Sequence, residues 1–373
     1  MMQPVEVKET PEAAAGARQH NFSAGPGTLP EAVLLEMRDE LPVYGDVGSS
    51  VMEISHRSPT YSAIEESART LLRKLLGLSE DWHILFLGGG ASMQFHQVPL
   101  NFLPAGGLAN YIVTGTWAKK AFKEALLLGE AYQAASSEDD AFTYIPDPAT
   151  WDVDPAAAYL HFTSNNTVYG TQFQAMPDLD MPTLVCDASS DFLSRRFTLD
   201  RYGLIYAGAQ KNIGPAGVTV ILVRDDFLQQ RNQPLPTMLD YGTHAARLFN
   251  TPPVFAIYAV DKVLQWLDRL GGIDAIAQIN DEKAALLYGR IDRTDFYQGT
   301  AQRGSRSKMN VTFRLPTEAL EQQFIAEAKT HGLLALKGHR SVGGIRASIY
   351  NACALASVKA LVSFMDDFER KNG

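Results

Sequence analysis

Two hydrophobic periods run along this chain. From residue 30 to 41 apolar side chains recur every three to four positions behind a proline, which predicts a helix with proline in its first turn. A second stretch of the same kind covers 59–76. Short, almost wholly apolar runs then follow at 84–90, 110–115, 159–165, 183–190, 204–210 and 218–224. Each has the length of a strand and too few polar positions for one face to meet water, so the strands are expected to be buried on both sides. Helical spacing returns between several of them, at 92–103, where Pro99 interrupts it, and at 117–128. Strand alternating with helix predicts an α/β unit whose mostly parallel sheet is flanked by helices on both faces. Only a short glycine-containing link joins the last two runs, which predicts one antiparallel strand.

The pattern changes near Pro252. Residues 254–272 have helical periodicity and stop at two glycines, and another helix follows over 279–291. Apolar runs at 309–315 and 346–352, a helix over 320–332 and a last helix from about Ala354 read as a small α+β unit. The expected organisation is a flexible tail over 1–18, a large domain over 19–268 and a small C-terminal domain over 269–373. There is no internal repeat, low-complexity run or long linker.

Composition narrows the picture. At 373 residues the chain can bury a sizeable core, and 46% hydrophobic with 20% charged residues is an ordinary globular balance. The net charge is −9 and the basic residues are scattered, which argues against nucleic acid or an anionic membrane as partner. Any anion site must therefore be built locally. Cys186 and Cys353 sit in apolar stretches and are expected to be buried free thiols, with no disulfide framework and no CxxC metal pattern. The N-terminus lacks the apolar segment of a signal peptide or anchor, so a cytoplasmic location is expected.

In an open parallel sheet, ligands bind beyond the carboxyl ends of the strands, so the residues after each run carry the chemistry. Gly88-Gly89-Gly90-Ala91-Ser92 follows the first, a glycine turn into a helix whose free N–H groups can hold a phosphate. Thr116-Trp117 follows the second, and an indole there can stack on a flat ring. Asp187 closes the fourth run and Lys211 follows the fifth, 24 residues later by subtraction. A carboxylate at a buried strand end needs a partner, and a protonated pyridine nitrogen is one. Each feature alone has an ordinary structural explanation. Together, on paired strands, they form the set that pyridoxal phosphate needs: an amine for the aldehyde, an acid for the ring nitrogen, an aromatic plate and a phosphate cradle.

At these residues the chain resembles the phosphoserine aminotransferase family, pyridoxal-phosphate enzymes of class V and fold type I. The resemblance runs from about His20 to the C-terminus. It rests on long motifs in order: His20 to Gly27, Glu53 to Ser58, Gly208 to Gly217, Tyr241 to His244, Asn250 to Pro253 and Gly338 to Ala352. It implies that Lys211 carries the cofactor, that Asp187 contacts the pyridine nitrogen and that Trp117 stacks on the ring. It further implies that Thr167 bonds near the ring hydroxyl and that Ala91, Ser92 and Gln210 contact the phosphate. Asn250 and Thr251 are implied to reach the cofactor of a partner subunit, hence a homodimer with shared active sites. Arg346 is implied to hold the substrate α-carboxylate. Arg57 (from the partner), His339 and Arg340 are implied to hold the distal phosphate of phosphoserine or the side-chain carboxylate of L-glutamate. A cluster of Arg and His suits both anions, because guanidinium matches either one with paired hydrogen bonds. The implied reaction moves the amino group of L-glutamate to 3-phosphooxypyruvate in serine biosynthesis. 4-Phosphohydroxy-L-threonine, in pyridoxine biosynthesis, is a further implied substrate. Two positions depart from many family members: the loop Ser164 to Gly170 around Thr167, and Ser92, where some carry arginine.

Three rivals share the fold. A cysteine desulfurase needs a mobile, exposed cysteine, which neither Cys186 nor Cys353 offers. A serine–glyoxylate type transaminase does not require the His339, Arg340 and Arg57 cluster. A non-catalytic binding protein does not require Lys211 with Asp187.

Overall fold

The first long helices show how local sequence sets the architecture. Helix α1 covers Glu31–Glu40 and α2 covers Pro59–Leu76. In α2 the buried positions are Tyr61, Ile64, Ala68, Leu72 and Leu75, steps of three and four that make one apolar stripe. Each large side chain in such a stripe contributes roughly 1.5–3 kcal/mol when fully buried. The start of α2 is set by Ser58, whose side chain accepts from the Tyr61 N–H, and by Pro59; Gly77, at φ 67°, ends it.

This structure, a computed structural model, describes residues 18–177 and 181–373. The expected tail over 1–18 lies, apart from Arg18, outside the described residues.

Strand and helix alternate as far as the third strand, and four more strands then follow without an α-helix between them: β1 (Trp82–Leu87), α3 (Gly90–Phe102), β2 (Leu108–Val113), α4 (Thr116–Ala125), β3 (Glu130–Ser136), β4 (Leu160–Thr163), β5 (Leu184–Asp187), β6 (Tyr202–Gly208) and β7 (Thr219–Arg224). The strands form one sheet in the order β1-β7-β6-β5-β4-β2-β3. Only β7 runs against its neighbours, as the short link before it required. Both faces are covered. In β6, Ile205 and Ala207 join the core containing α2, while Leu204 and Tyr206 join the core containing α3 and α4. This two-residue alternation inside a fully apolar run is the signature of a strand buried on both sides. β3 has no such run. It is one of the two edge strands, largely open to solvent, and its sequence carries no apolar signal.

The chain continues through α5 (Val254–Arg269), α6 (Gly272–Ile291), β8 (Asn310–Arg314), α7 (Glu318–Thr330), β9 (Ile345–Ser348) and α8 (Leu355–Asn372). β8 and β9 pair antiparallel, and a separate core gathers Phe313, Phe324, Leu361, Met365 and Phe368. The cores divide part-way along α6. Ile273 and Ile276 belong to the large one, Leu287 and Ile291 to the small one. The expected boundary near residue 268 falls earlier, at the end of α5. The start of the described chain also packs with the C-terminal unit: His20–Asn21 pairs with Leu333–Leu334, and Phe22 is buried in the small core. Cys186 and Cys353 are buried and free. No helix among the described residues is long and apolar enough to cross a membrane.

Candidate active site

The ends of β5 and β6 carry the candidate chemistry. Register pairs Thr163 with Asp187 and Asp187 with Tyr206, so Asp187 ends its strand at the rim where β6 finishes at Gly208. Lys211 stands three residues further on. Asp187 is only 3% exposed, and Ser189 donates to its Oδ1 from the backbone N–H (3.0 Å) and the hydroxyl (2.6 Å). Burial pushes the carboxyl of Asp187 up, the Lys211 ammonium and the Ser189 bonds oppose this, and the buried Asp191 adds to it.

The Lys211 amine donates to Thr167 Oγ1 at 2.8 Å and lies 6.0 Å from the centre of the Trp117 ring. Its pKa is lowered to about 8. Burial is the main cause; Asp187 opposes it and Arg346 adds to it. At pH 7.5 about a quarter of such amines are free base, against about one in a thousand for an unperturbed lysine. Thr167 is 4% exposed and serves two cations, because its carbonyl accepts from Arg346 Nη1 at 3.3 Å. Arg346 is central in β9, and its own pKa is lowered by burial. One threonine therefore joins the amine on the large sheet to the guanidinium on the small one.

Two surfaces complete the cleft. Trp117 lies in the first turn of α4, and its buried Nε1 has no hydrogen-bond partner among the described residues. The N-terminus of α3 has no side-chain cap. Gly89, at φ 89°, turns the chain so that Ala91 and Ser92 open the helix, on the same rim with β7 intervening. Gln210 precedes Lys211, and its carbonyl accepts from Gly27 N–H at 2.7 Å. A Cβ on Gly27 would lie 2.8 Å from the Tyr350 ring and 2.9 Å from the Lys211 carbonyl, so only glycine lets the N-terminal loop press against the lysine.

His339 and Arg340 sit on the loop 338–344 that leads into β9. His339 Nδ1 bonds the Ser341 hydroxyl at 2.6 Å. Its pKa is lowered by burial first, then by Arg346, Arg340 and Lys120, which places it within the field of the other site cations. Arg340 is exposed and forms no ion pair among the described residues. Among the described residues no hydrogen bond or ring contact joins Arg57, Asn250 or Thr251 to Lys211. All three are exposed. Thr251, Ser55 and His56 line one cavity of about 470 Å³, and Asn250, Thr251 and Gly88 line another of about 380 Å³.

Four contributors escaped the sequence reading. Ser189 holds Asp187, and the polar pair at 189–190 after a strand-ending acid was the available signal. Asn351 donates its N–H to Asn212 Oδ1 at 3.0 Å, bracing the residue after Lys211 against the turn after β9. Tyr350 donates to the Ala24 carbonyl at 2.7 Å. Lys120 lies 4.7 Å from the Trp117 ring centre, one helical turn along α4. Asn351 and Tyr350 act through contacts between distant segments, which left no mark in the sequence, whereas Lys120 stands three residues from Trp117, a helical spacing that was the available signal.

The aminotransferase class-V profile matches residues 19–361. Phosphoserine aminotransferase of Desulfosudis oleivorans is 52% identical over 360 residues, 95% of this chain and 99% of that protein. Among solved structures, phosphoserine aminotransferase from Bacillus circulans subsp. alkalophilus aligns with a TM-score of 0.93 at 48% identity, over 95% of this chain and 99% of that one. A PLP-bound phosphoserine aminotransferase from Trichomonas vaginalis aligns with a TM-score of 0.89 at 36% identity, over 94% of this chain and 100% of that one.

Proposed function

The chain belongs to the aminotransferase class-V family, and from that premise we propose that it transfers the amino group of L-glutamate reversibly to 3-phosphooxypyruvate, giving O-phospho-L-serine and 2-oxoglutarate. The observation that carries the reading is the placement of Lys211 and Asp187 at adjacent strand ends, with Trp117 beside the amine.

The residues fit pyridoxal phosphate. Trp117 offers an aromatic face and an unpartnered N–H, the uncapped start of α3 offers free donors, and Asp187 is a buried acid with one oxygen engaged by Ser189. When bound, the cofactor supplies an aldehyde that accepts the amino group and a ring that takes up the electron pair left by the departing α-proton. Asp187 would keep a proton on the ring nitrogen. Ala91, Ser92 and Gln210, with Asn250 and Thr251 of the partner subunit, would hold the phosphate. Thr167 would orient both the ring edge and Lys211.

Lys211 Nζ is the base in this reading. With its pKa lowered to about 8, a sizeable fraction is free base near neutrality, and in that form it would take the substrate α-proton and give it back across the amino nitrogen. Arg346 binds the α-carboxylate. His339, Arg340 and Arg57 of the partner subunit bind the distal anion, and their donors suit phosphate and carboxylate alike. The protein then acts as a homodimer in the cytoplasm, in serine biosynthesis, with 4-phosphohydroxy-L-threonine as a second substrate in pyridoxine biosynthesis. The test is a coupled assay of O-phospho-L-serine with 2-oxoglutarate beside L-alanine and L-serine. Fast turnover restricted to the phosphorylated donor is expected, and equal rates with alanine would refute the assignment.

A further inference from the structure

Arg314 ends β8, the strand paired with the one that bears Arg346; Thr312 and Arg346 are register partners. Its guanidinium donates to Glu321 of α7 through both edges, Nε to Oε1 and Nη2 to Oε2 at 3.3 Å. The third branch, Nη1, donates to the Val342 carbonyl at 3.3 Å. Val342 lies in the loop 338–344 that presents His339 and Arg340. The other hydrogen bonds of residues 338–343 stay within the loop: Gly338 N–H to the Gly344 carbonyl, Val342 and Gly343 N–H to the His339 carbonyl, and the His339 to Ser341 pair. Among the described residues, Arg314 is thus the one side chain that ties the loop tip to the body of the protein by a hydrogen bond. Gly344 permits the approach. Its φ is 67°, and a Cβ there would lie 2.6 Å from Arg314 Cδ.

From this arrangement we propose that the Arg314–Glu321 pair is a positioning device for the distal-anion subsite, setting the distance between His339–Arg340 and Arg346. Arg346 reads the α-carboxylate from one strand of the small sheet. Arg314 holds the distal loop from the neighbouring strand, so one antiparallel ladder spaces both ends of the substrate. Glu321 is buried and takes up the Arg314 charge, which leaves Arg340, joined by His339 when an anion draws a proton onto it, as the cation the loop offers. A seven-residue loop without this tether samples more conformations and holds a bound anion less well.

The inference rests on the functional reading above, because it needs a substrate with charges at both ends. It is tested with full-length holoenzyme carrying Arg314→Met, and with Glu321→Gln as an independent second variant. Steady-state constants are compared for O-phospho-L-serine and L-glutamate, and the single-turnover half-reaction is followed with L-alanine, which lacks a distal anion. KM for both two-anion substrates should rise about tenfold with kcat within about twofold, while the alanine half-reaction stays unchanged. Amide exchange at Val342 and Gly343 should speed up in the same variants. Unchanged KM values, or an equal loss with alanine, overturn the proposal. A wild-type enzyme showing no preference for substrates with a distal anion would instead sink the functional reading, and the positioning role with it.

Discussion

Ser189 holds Asp187 by two hydrogen bonds to one carboxylate oxygen, and the same hydroxyl accepts from the Gly208 N–H at 3.1 Å. One serine therefore locks the end of β5 to the end of β6, and with it the acid to the strand that leads to Lys211. Replacing it by alanine removes a charge-assisted bond and leaves the Gly208 N–H without its partner. Ser189→Ala should lower folding stability by roughly 1.5–3 kcal/mol. The Asp187 carboxyl should rise further, since the Ser189 bonds hold it down. Urea denaturation and the single-turnover rate with L-glutamate check both effects, and an unchanged rate would show that Ser189 serves only the fold.

The Lys211 amine, near pKa 8, couples the site to pH. Only the free base attacks an aldehyde, so uptake of pyridoxal phosphate by the apoprotein should speed up as pH rises through about 8. Arg346 disfavours the ammonium form and Asp187 favours it. Arg346→Met should therefore move the midpoint up, and Asp187→Asn should move it down. Stopped-flow absorbance across pH 6–10 reads the midpoint directly; opposite shifts would contradict the electrostatics described here.

Gly27→Ala should be among the most damaging small substitutions. The added methyl would meet the Tyr350 ring at 2.8 Å and the Lys211 carbonyl at 2.9 Å. Overpacking of this kind costs typically 1–3 kcal/mol, and here the displaced atoms are the lysine backbone itself. Thermal melting and retention of cofactor absorbance during gel filtration would register the loss. Wild-type behaviour in both would mean that the loop yields.

His339 is held below its ordinary pKa by burial and by Arg346, Arg340 and Lys120, so it is mostly neutral at pH 7. A bound distal anion favours its protonated form. KM for O-phospho-L-serine should consequently fall as pH drops from 8 to 6, and His339→Asn should flatten that dependence. A slope that survives the substitution would assign the titration to another group.

No hydrogen bond joins Arg57 to Lys211 or its partner Thr167 among the described residues, and the functional reading puts them in one site by way of a partner subunit. If so, Arg57→Ala and Lys211→Ala proteins, each inactive alone, complement each other. Half of the dimers in an equal mixture are hybrids with one intact site in two, which restores about a quarter of wild-type activity. Absence of any rescue after subunit exchange would place Arg57 in its own subunit's site or outside the site.

Strand positions were legible because apolar runs bounded by glycine and small polar residues report burial directly, and 204–210 against β6 at Tyr202–Gly208 illustrates the closeness. The edge strand β3 was not legible, since a strand open to solvent carries no apolar run. The same physics decides the site. Lys211 and Asp187 stood out because a charge at the end of a buried strand is costly without a partner, a cost written into a single segment.

What the sequence determined by itself was therefore local: the alternation of buried strands and amphipathic helices, the odd strand β7, and the two ionisable groups that apolar runs deliver to the rim. Only the tertiary structure decided which segments share Thr167, that Ser189 rather than a neighbour holds Asp187, and that Arg314 ties down the loop of His339. Those contacts join residues far apart along the chain. Their energies come from the final approach of side chains within a few ångströms, a quantity that periodicity and composition do not encode.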